Sequence, residues 1–187
     1  MTDRKFPIKI GTKLIEDLMN PRPGELDYHA ITTRLKGTYR FSGAKGALNV
    51  HQHRHLVCRL VEMDKKGGFE DSEDSFQLWN QCCEWAFHHD DHEGITGDIV
   101  APVKNLISSR TNILEIIETK LDWAICTHLG INHPNKVIRG LVHRYDKAAE
   151  TIEWVHALGN AMQDFNHSCP EWMMDKGTAL ITWARSQ

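Results

Sequence analysis

Residues 88 to 98 read His-His-Asp-Asp-His-Glu-Gly-Ile-Thr-Gly-Asp, and this run constrains the chain more than any other. Ionisable side chains follow one another directly after an apolar helical pattern, where a helix is ordinarily capped. Upstream, Phe76, Trp79, Cys83 and Ala86 lead to Asp90 at spacings of three and four, and Leu78, Cys82 and Trp85 lead to His89. The track Gln77, Gln81, Glu84, His88, His92 is polar throughout. This spacing predicts one helix from about Asp74 through Asp90, with His89 and Asp90 pointing inward and His88 and His92 outward. A carboxylate buried in an apolar stripe without a partner costs several kcal/mol, so Asp90 requires a cation or donors. Adjacent His and Asp offer a nitrogen and an oxygen to one divalent ion. Glu93, three residues beyond Asp90, returns to the same helix face and could move a proton there.

Two further helices supply inward polar residues. Asn49 can cap a helix running to about Met63, and its stripe Val50, Val57, Leu60, Val61 includes His53. An inward histidine is either a satisfied core residue or a ligand, and the helix alone favours the first. His51 and His55 form an i, i+4 pair that could bind metal, but their polar face favours solvated side chains. A helix from about Asn135 to Leu158 carries Ile138, Val142, Tyr145, Ala149, Ile152 and Val155, with Asp146 bordering that stripe. Residues 110 to 129 read as an amphipathic core helix with Ile113, Ile116, Ile117, Leu121, Ala124 and Ile125 inward. A short helix fits Leu26 to Leu35, and another the C-terminal segment from Pro170, with Trp172, Met173, Ala179, Leu180 and Trp183. No stretch reads as strand, so the expected fold is all-α, a single-domain helical bundle over residues 25 to 187 with a metal site in its core. Residues 1 to 24, ending in Asn20-Pro21-Arg22-Pro23-Gly24, read as an N-terminal arm with one helical turn around Leu14 to Leu18. An acidic surface loop is expected over residues 64 to 75. Between Gly37 and Leu48 the periodicity lapses, and Gly43 and Gly46 with Arg40 and Lys45 make a basic loop. Such a loop can approach phosphate closely, although plain loops share its composition.

Composition narrows the function. With 187 residues the chain has room for one domain with a real core. A formal charge of −3 excludes the basic field that long nucleic-acid tracts demand, while leaving a single nucleotide possible. The five cysteines, Cys58, Cys82, Cys83, Cys126 and Cys169, are odd in number without a CxxC, so free thiols are expected. No apolar run approaches the ~20 residues of a membrane span, and the polar first residues lack the apolar run of a signal peptide. A cytoplasmic protein is expected.

Taken together, His53, His89, Asp90 and Asp146 supply two imidazoles and two carboxylates from three helices, a set that suits a divalent transition metal or Mg²⁺. The order H…HD…D resembles the HD-domain phosphohydrolase superfamily, and most closely its 5′-deoxynucleotidase branch and the similar phage HD hydrolases. The matching text is Arg40-Phe41-Ser42, Asn49-Val50-His51-Gln52-His53, and Ala86 through Lys104, where the HD pair, Glu93, Thr96-Gly97-Asp98 and Pro102-Val103-Lys104 fall in register. The resemblance covers roughly residues 20 to 158. It implies that His53, His89, Asp90 and Asp146 ligate one divalent metal (Co, Mn, Zn, Mg or Ni). It implies Glu93 as catalytic acid/base, Asp98 as the residue positioning substrate or water, Arg40 holding phosphate, and Phe41 lining the sugar site of a deoxynucleotide. Lys45 and Lys104 could add charge for phosphate. The activity implied is hydrolysis at the 5′ oxygen, with a monophosphate substrate slightly favoured because Arg40 alone suits it. Removal of the whole triphosphate from dATP, as in phage relatives, is the alternative, and a non-catalytic nucleotide sensor is a reading of another class. A homo-oligomer, dimer or larger, is expected, in the host cytoplasm if the chain is phage-encoded.

Overall fold

The computed structural model of the protein describes residues 4–64, 73–162 and 169–187. The chain is mostly helical, as expected. It divides into two compact units, one comprising the chain to Thr38 with Asp91–His133, the other Tyr39–Asp90 with Pro134–Gln187. Of the acidic loop expected over residues 64 to 75, residues 65–72 lie outside the described residues.

The second unit is built around helix α2 (Val50–Met63). It begins where the sequence places it. The Asn49 side chain accepts from Gln52 N at 2.8 Å while Gln52 Oε1 accepts from Asn49 N at 3.1 Å, satisfying two otherwise orphaned donors. Leu56, Val57, Leu60 and Val61 are fully buried and pack on α3 (Glu73–His88) and α7 (Lys136–Ile152). Each such side chain contributes ~1.5–3 kcal/mol by leaving water. The predicted stripe of α7, Ile138 through Ile152, is buried as well, and Asn135 caps that helix by accepting from Val137 N and Ile138 N. Rather than continuing as α-helix to Leu158, α7 passes into a π turn, Glu153–Ala157. The C-terminal segment forms two short helices, Glu171–Met174 and Gly177–Arg185.

The first unit holds helices α1 (Tyr28–Gly37), α4 (Glu93–Thr96), α5 (Ala101–Ser108) and α6 (Ile113–Leu129). Its N-terminal stretch departs from the expectation that no stretch forms a strand. Ile8–Ile10 and Lys13–Ile15 pair as an antiparallel hairpin in place of a helical turn around Leu14. Gly11 at its tip has φ +58°, and a Cβ there would lie 2.4 Å from both Ala30 Cβ and Asp27 Oδ2, so only glycine fits. Asp27 joins hairpin to helix, accepting from Thr12 N at 3.0 Å and capping α1 through Ala30 N at 3.1 Å. Gly94 of α4 touches α1 so closely that a Cβ would stand 2.6 Å from Ile31 Cγ2.

The end of α3 brings the main correction. The helix stops at His88 and residues 89–92 form a turn before α4. The turn resets the phase. His89 and Asp90 remain largely shielded, but His92, expected on the solvent track, is buried, and its Nδ1 lies 3.0 Å from Asp122 Oδ1. Asp91 is also buried and accepts from Tyr28 Oη at 2.8 Å. Two apolar assignments fail: Phe76 is 57% exposed and Ile113 39% exposed. In α6 the inward face is led by Leu114, Leu121, Asp122 and Ile125, a shift that puts Ile113 at the margin. His51 and His55 are half-buried, their rings edge to face at 4.8 Å, where solvated side chains were expected. All five cysteines are thiols outside any disulfide, as expected, with Cys82 and Cys126 buried.

Candidate metal centre

All four expected ligands belong to the second unit and converge there. His53 sits one turn into α2 and is fully buried. Asp146 comes from α7, and His89 and Asp90 from the turn that closes α3. His53 Nε2 lies 3.1 Å from Asp146 Oδ1 and 3.6 Å from Asp90 Oδ2. His89 Nε2 lies 3.1 Å from Asp90 Oδ2 and 3.9 Å from Asp146 Oδ1. His53, His89 and Asp146 can each bring one ligand atom within 4.8 Å of the others.

The tautomers are set from behind. His89 Nδ1 faces the Ala86 carbonyl at 2.8 Å, and a carbonyl only accepts, so Nδ1 carries the proton. The lone pair of neutral His89 is therefore on Nε2, a buried atom without a hydrogen-bond partner. His53 Nδ1 donates to Glu153 Oε1, so in the neutral imidazole the Nε2 lone pair faces the same carboxylates. Lone pairs facing carboxylate oxygens repel unless a proton or a metal cation stands between them. Charge leads to the same requirement. Among the described residues, the carboxylates of Asp90, Asp146, Glu150 and Glu153 crowd around the fixed cations Arg40 and Lys147. A divalent ion would offset the excess of negative charge. Two imidazoles and two carboxylates with neutral, outward-fixed nitrogens thus fit such an ion.

Without metal, protons take its place. Burial and the Arg40 guanidinium both oppose charge on His53, yet the carboxylates of Glu153 and Asp146 outweigh them and raise its pKa to about 9. Burial likewise opposes charge on His89, and Asp90 with Asp146 raises its pKa well above the ordinary value. Burial would raise the carboxyl pKa values too, but the two histidines hold Asp90 and Asp146 below the usual carboxylate range. For His53 the folded pKa exceeds the unfolded value of 6.5. Its contribution to stability is therefore complete below pH ~6.5 and lost as pH rises through about 9. Chelator-treated protein should melt at a lower temperature at pH 9.5 than at pH 6.5, with saturating metal reducing the difference. A melting temperature that rises over that interval would contradict this coupling.

The remaining expected residues are distributed as follows. Arg40 is buried at the mouth of the loop formed by the Tyr39–Asn49 bridge. Its Nη2 donates to Glu150 at 3.3 Å, its Nε to Glu153 at 3.3 Å, and its Nη1 lies 3.9 Å from Asp90 Oδ2. Phe41 has φ +50° and Ser42 φ +54°. Consecutive left-handed non-glycine residues cost of order 1–3 kcal/mol each and cluster at functional sites. Phe41 faces Trp154 at 6.0 Å between ring centroids. Lys45, in the same loop, is exposed. Glu93, half-buried, opens α4 in the first unit, Asp98 follows in the link after Gly97, and Lys104 of α5 pairs with Glu118 at 2.8 Å.

Sequence reading missed Glu153. It is fully buried between His53 and Arg40. A signal existed: Asp146, Glu150 and Glu153 follow at steps of four and three, which places them on one helix face.

No family model matches the chain. A search of curated proteins finds a relative 31% identical over 131 residues, covering 62% of this chain and 62% of the relative. The chain thus spans less than two thirds of the length of the protein it matches, and that protein, to which it is similar, is the dATP triphosphohydrolase of Acinetobacter phage SH-Ab 15497.

Proposed function

We propose that this protein is a metal-dependent hydrolase of deoxynucleoside triphosphates that cleaves next to the 5′ oxygen and releases triphosphate. The observation that carries this reading is the convergence of the Nε2 atoms of His53 and His89 on the carboxylates of Asp90 and Asp146. The name of the phage relative favours the triphosphate over the monophosphate substrate that Arg40 alone suggested.

His53, His89, Asp90 and Asp146 would hold the metal, which when bound lowers the pKa of a water and polarises a phosphoryl oxygen. Arg40 offsets charge on the α-phosphate, and Asp98 positions substrate or water. Lys45 and Lys104 meet the additional charge of the β- and γ-phosphates. Glu93 is the acid/base. As the bond from water to phosphorus forms and the bond to the 5′ oxygen breaks, the proton lost by water is delivered through Glu93 to the departing oxygen. Phe41 packs where a ribose 2′-hydroxyl would sit, so deoxyribose is preferred.

Product identity tests the reading. Incubation with dATP and Mn²⁺ or Co²⁺ should yield deoxyadenosine and intact triphosphate, with dAMP untouched and ATP turned over more slowly. Hydrolysis of dAMP to deoxyadenosine and phosphate would return the substrate to the monophosphate class. Binding of dATP without any product would favour the sensor.

A further inference from the structure

We propose that Glu153 is the positioning residue of this centre: its two carboxylate oxygens fix the orientation of a metal ligand and of the phosphate-binding cation together. The inference rests on the metal-dependent reading above. Glu153 is fully buried, and its oxygens divide between two partners. Oε1 accepts from His53 Nδ1, and Oε2 accepts from Arg40 Nε at 3.3 Å. A buried carboxylate is costly unless paired and hydrogen-bonded, and these two contacts supply what it requires.

Glu153 itself keeps helical backbone angles and opens the π turn that follows α7. At the end of α7, Leu158 N bonds to Glu153 O at 3.0 Å, five residues back instead of four. Such π turns are rare and concentrate at functional sites. On the same helix, Asp146 approaches His53 at Nε2, 3.1 Å away. One helix therefore holds both ring nitrogens of His53, Asp146 at the metal-facing atom and Glu153 at the other. A carboxylate that accepts Nδ1–H fixes the tautomer and raises the basicity of a ligating imidazole. The same carboxylate holds Arg40, so its loss should disturb metal affinity and phosphate binding at once.

The full chain, stripped of metal, is titrated with Mn²⁺ by calorimetry and with Co²⁺ while its visible spectrum is recorded. Four proteins are compared: wild type, Glu153→Gln, Glu153→Asp and Glu150→Gln. Glu153→Gln keeps the side-chain volume but cannot accept at both ends. Glu153→Asp keeps the charge but shortens the reach. Each should weaken metal binding by about 10–100-fold and change the Co²⁺ spectrum. Glu150→Gln removes a unit of charge beside Arg40 without touching the His53 hydrogen bond. It should shift metal affinity by less than about threefold, the scale of a partly screened charge. Equal losses in Glu153→Gln and Glu150→Gln would reduce the effect to bulk charge and overturn the positioning role, as would wild-type affinity in both Glu153 variants. Failure of the wild type to take up either ion would instead overturn the metal-dependent reading itself, before any variant is compared.

Discussion

Replacing Glu93 by alanine is expected to lower turnover of dATP by about 10²-fold or more while the protein keeps its divalent metal and its fold. A loss of that size corresponds to about 2.7 kcal/mol of transition-state stabilisation. The expectation rests on the position of Glu93 three residues beyond Asp90 in the chain, at the start of α4. The effect should fall on kcat, because an acid/base group acts on the proton in flight and contributes little to holding ground-state substrate. Steady-state kinetics on Glu93→Ala, with metal content measured on the same preparation, checks both halves. Loss of metal along with activity would move Glu93 from proton transfer to metal retention. His88→Ala is the useful comparison: His88 is half-buried beside Phe87, and its loss should cost far less activity than that of Glu93.

Replacing Asp90 by alanine should remove both metal and activity. Asp90 Oδ2 faces His89 Nε2 at 3.1 Å and His53 Nε2 at 3.6 Å, so it is shared by both imidazoles of the centre. Its deletion leaves two histidines and Asp146 as donors. Loss of an orienting partner behind a ligand already costs 10–100-fold in affinity, and loss of a ligand should exceed ~10²-fold. Retention of metal at wild-type occupancy in Asp90→Ala would show that the ion is held elsewhere.

The parts of this account legible in sequence were those carried by periodicity. His53 lies inside an apolar stripe three and four residues from its neighbours, and it is buried as that spacing requires. Asp146 was harder to read, because an acidic residue at the edge of a stripe is ordinarily solvated; the structure sets it against His53. Glu153 shares that face, but a glutamate near a helix end is ordinarily solvated, and nothing in the local pattern sets it apart. His92 was misread for a related reason. Neither glycine nor proline announces the end of α3 at His88, so the polar track was extended one turn too far, and the partner Asp122 lay thirty residues away. The hairpin at Ile8–Ile15 escaped because its strands are three residues each, too short for alternation to be distinctive. Gly11 between Ile10 and Thr12 was the available signal. The geometry around Arg40 was not legible at all: its pairing with Glu150 and Glu153 spans more than a hundred residues of chain.

The most direct measurement of the central claim is elemental analysis of protein purified without chelator, made alongside the hydrolysis assay before and after chelator treatment. Close to one equivalent of a divalent metal per chain is expected, sharply reduced in Asp90→Ala. Activity should disappear with chelation and return when Mn²⁺ or Co²⁺ is restored. A protein that carries no divalent metal and hydrolyses dATP unchanged in excess chelator would rule out a metal centre at these residues.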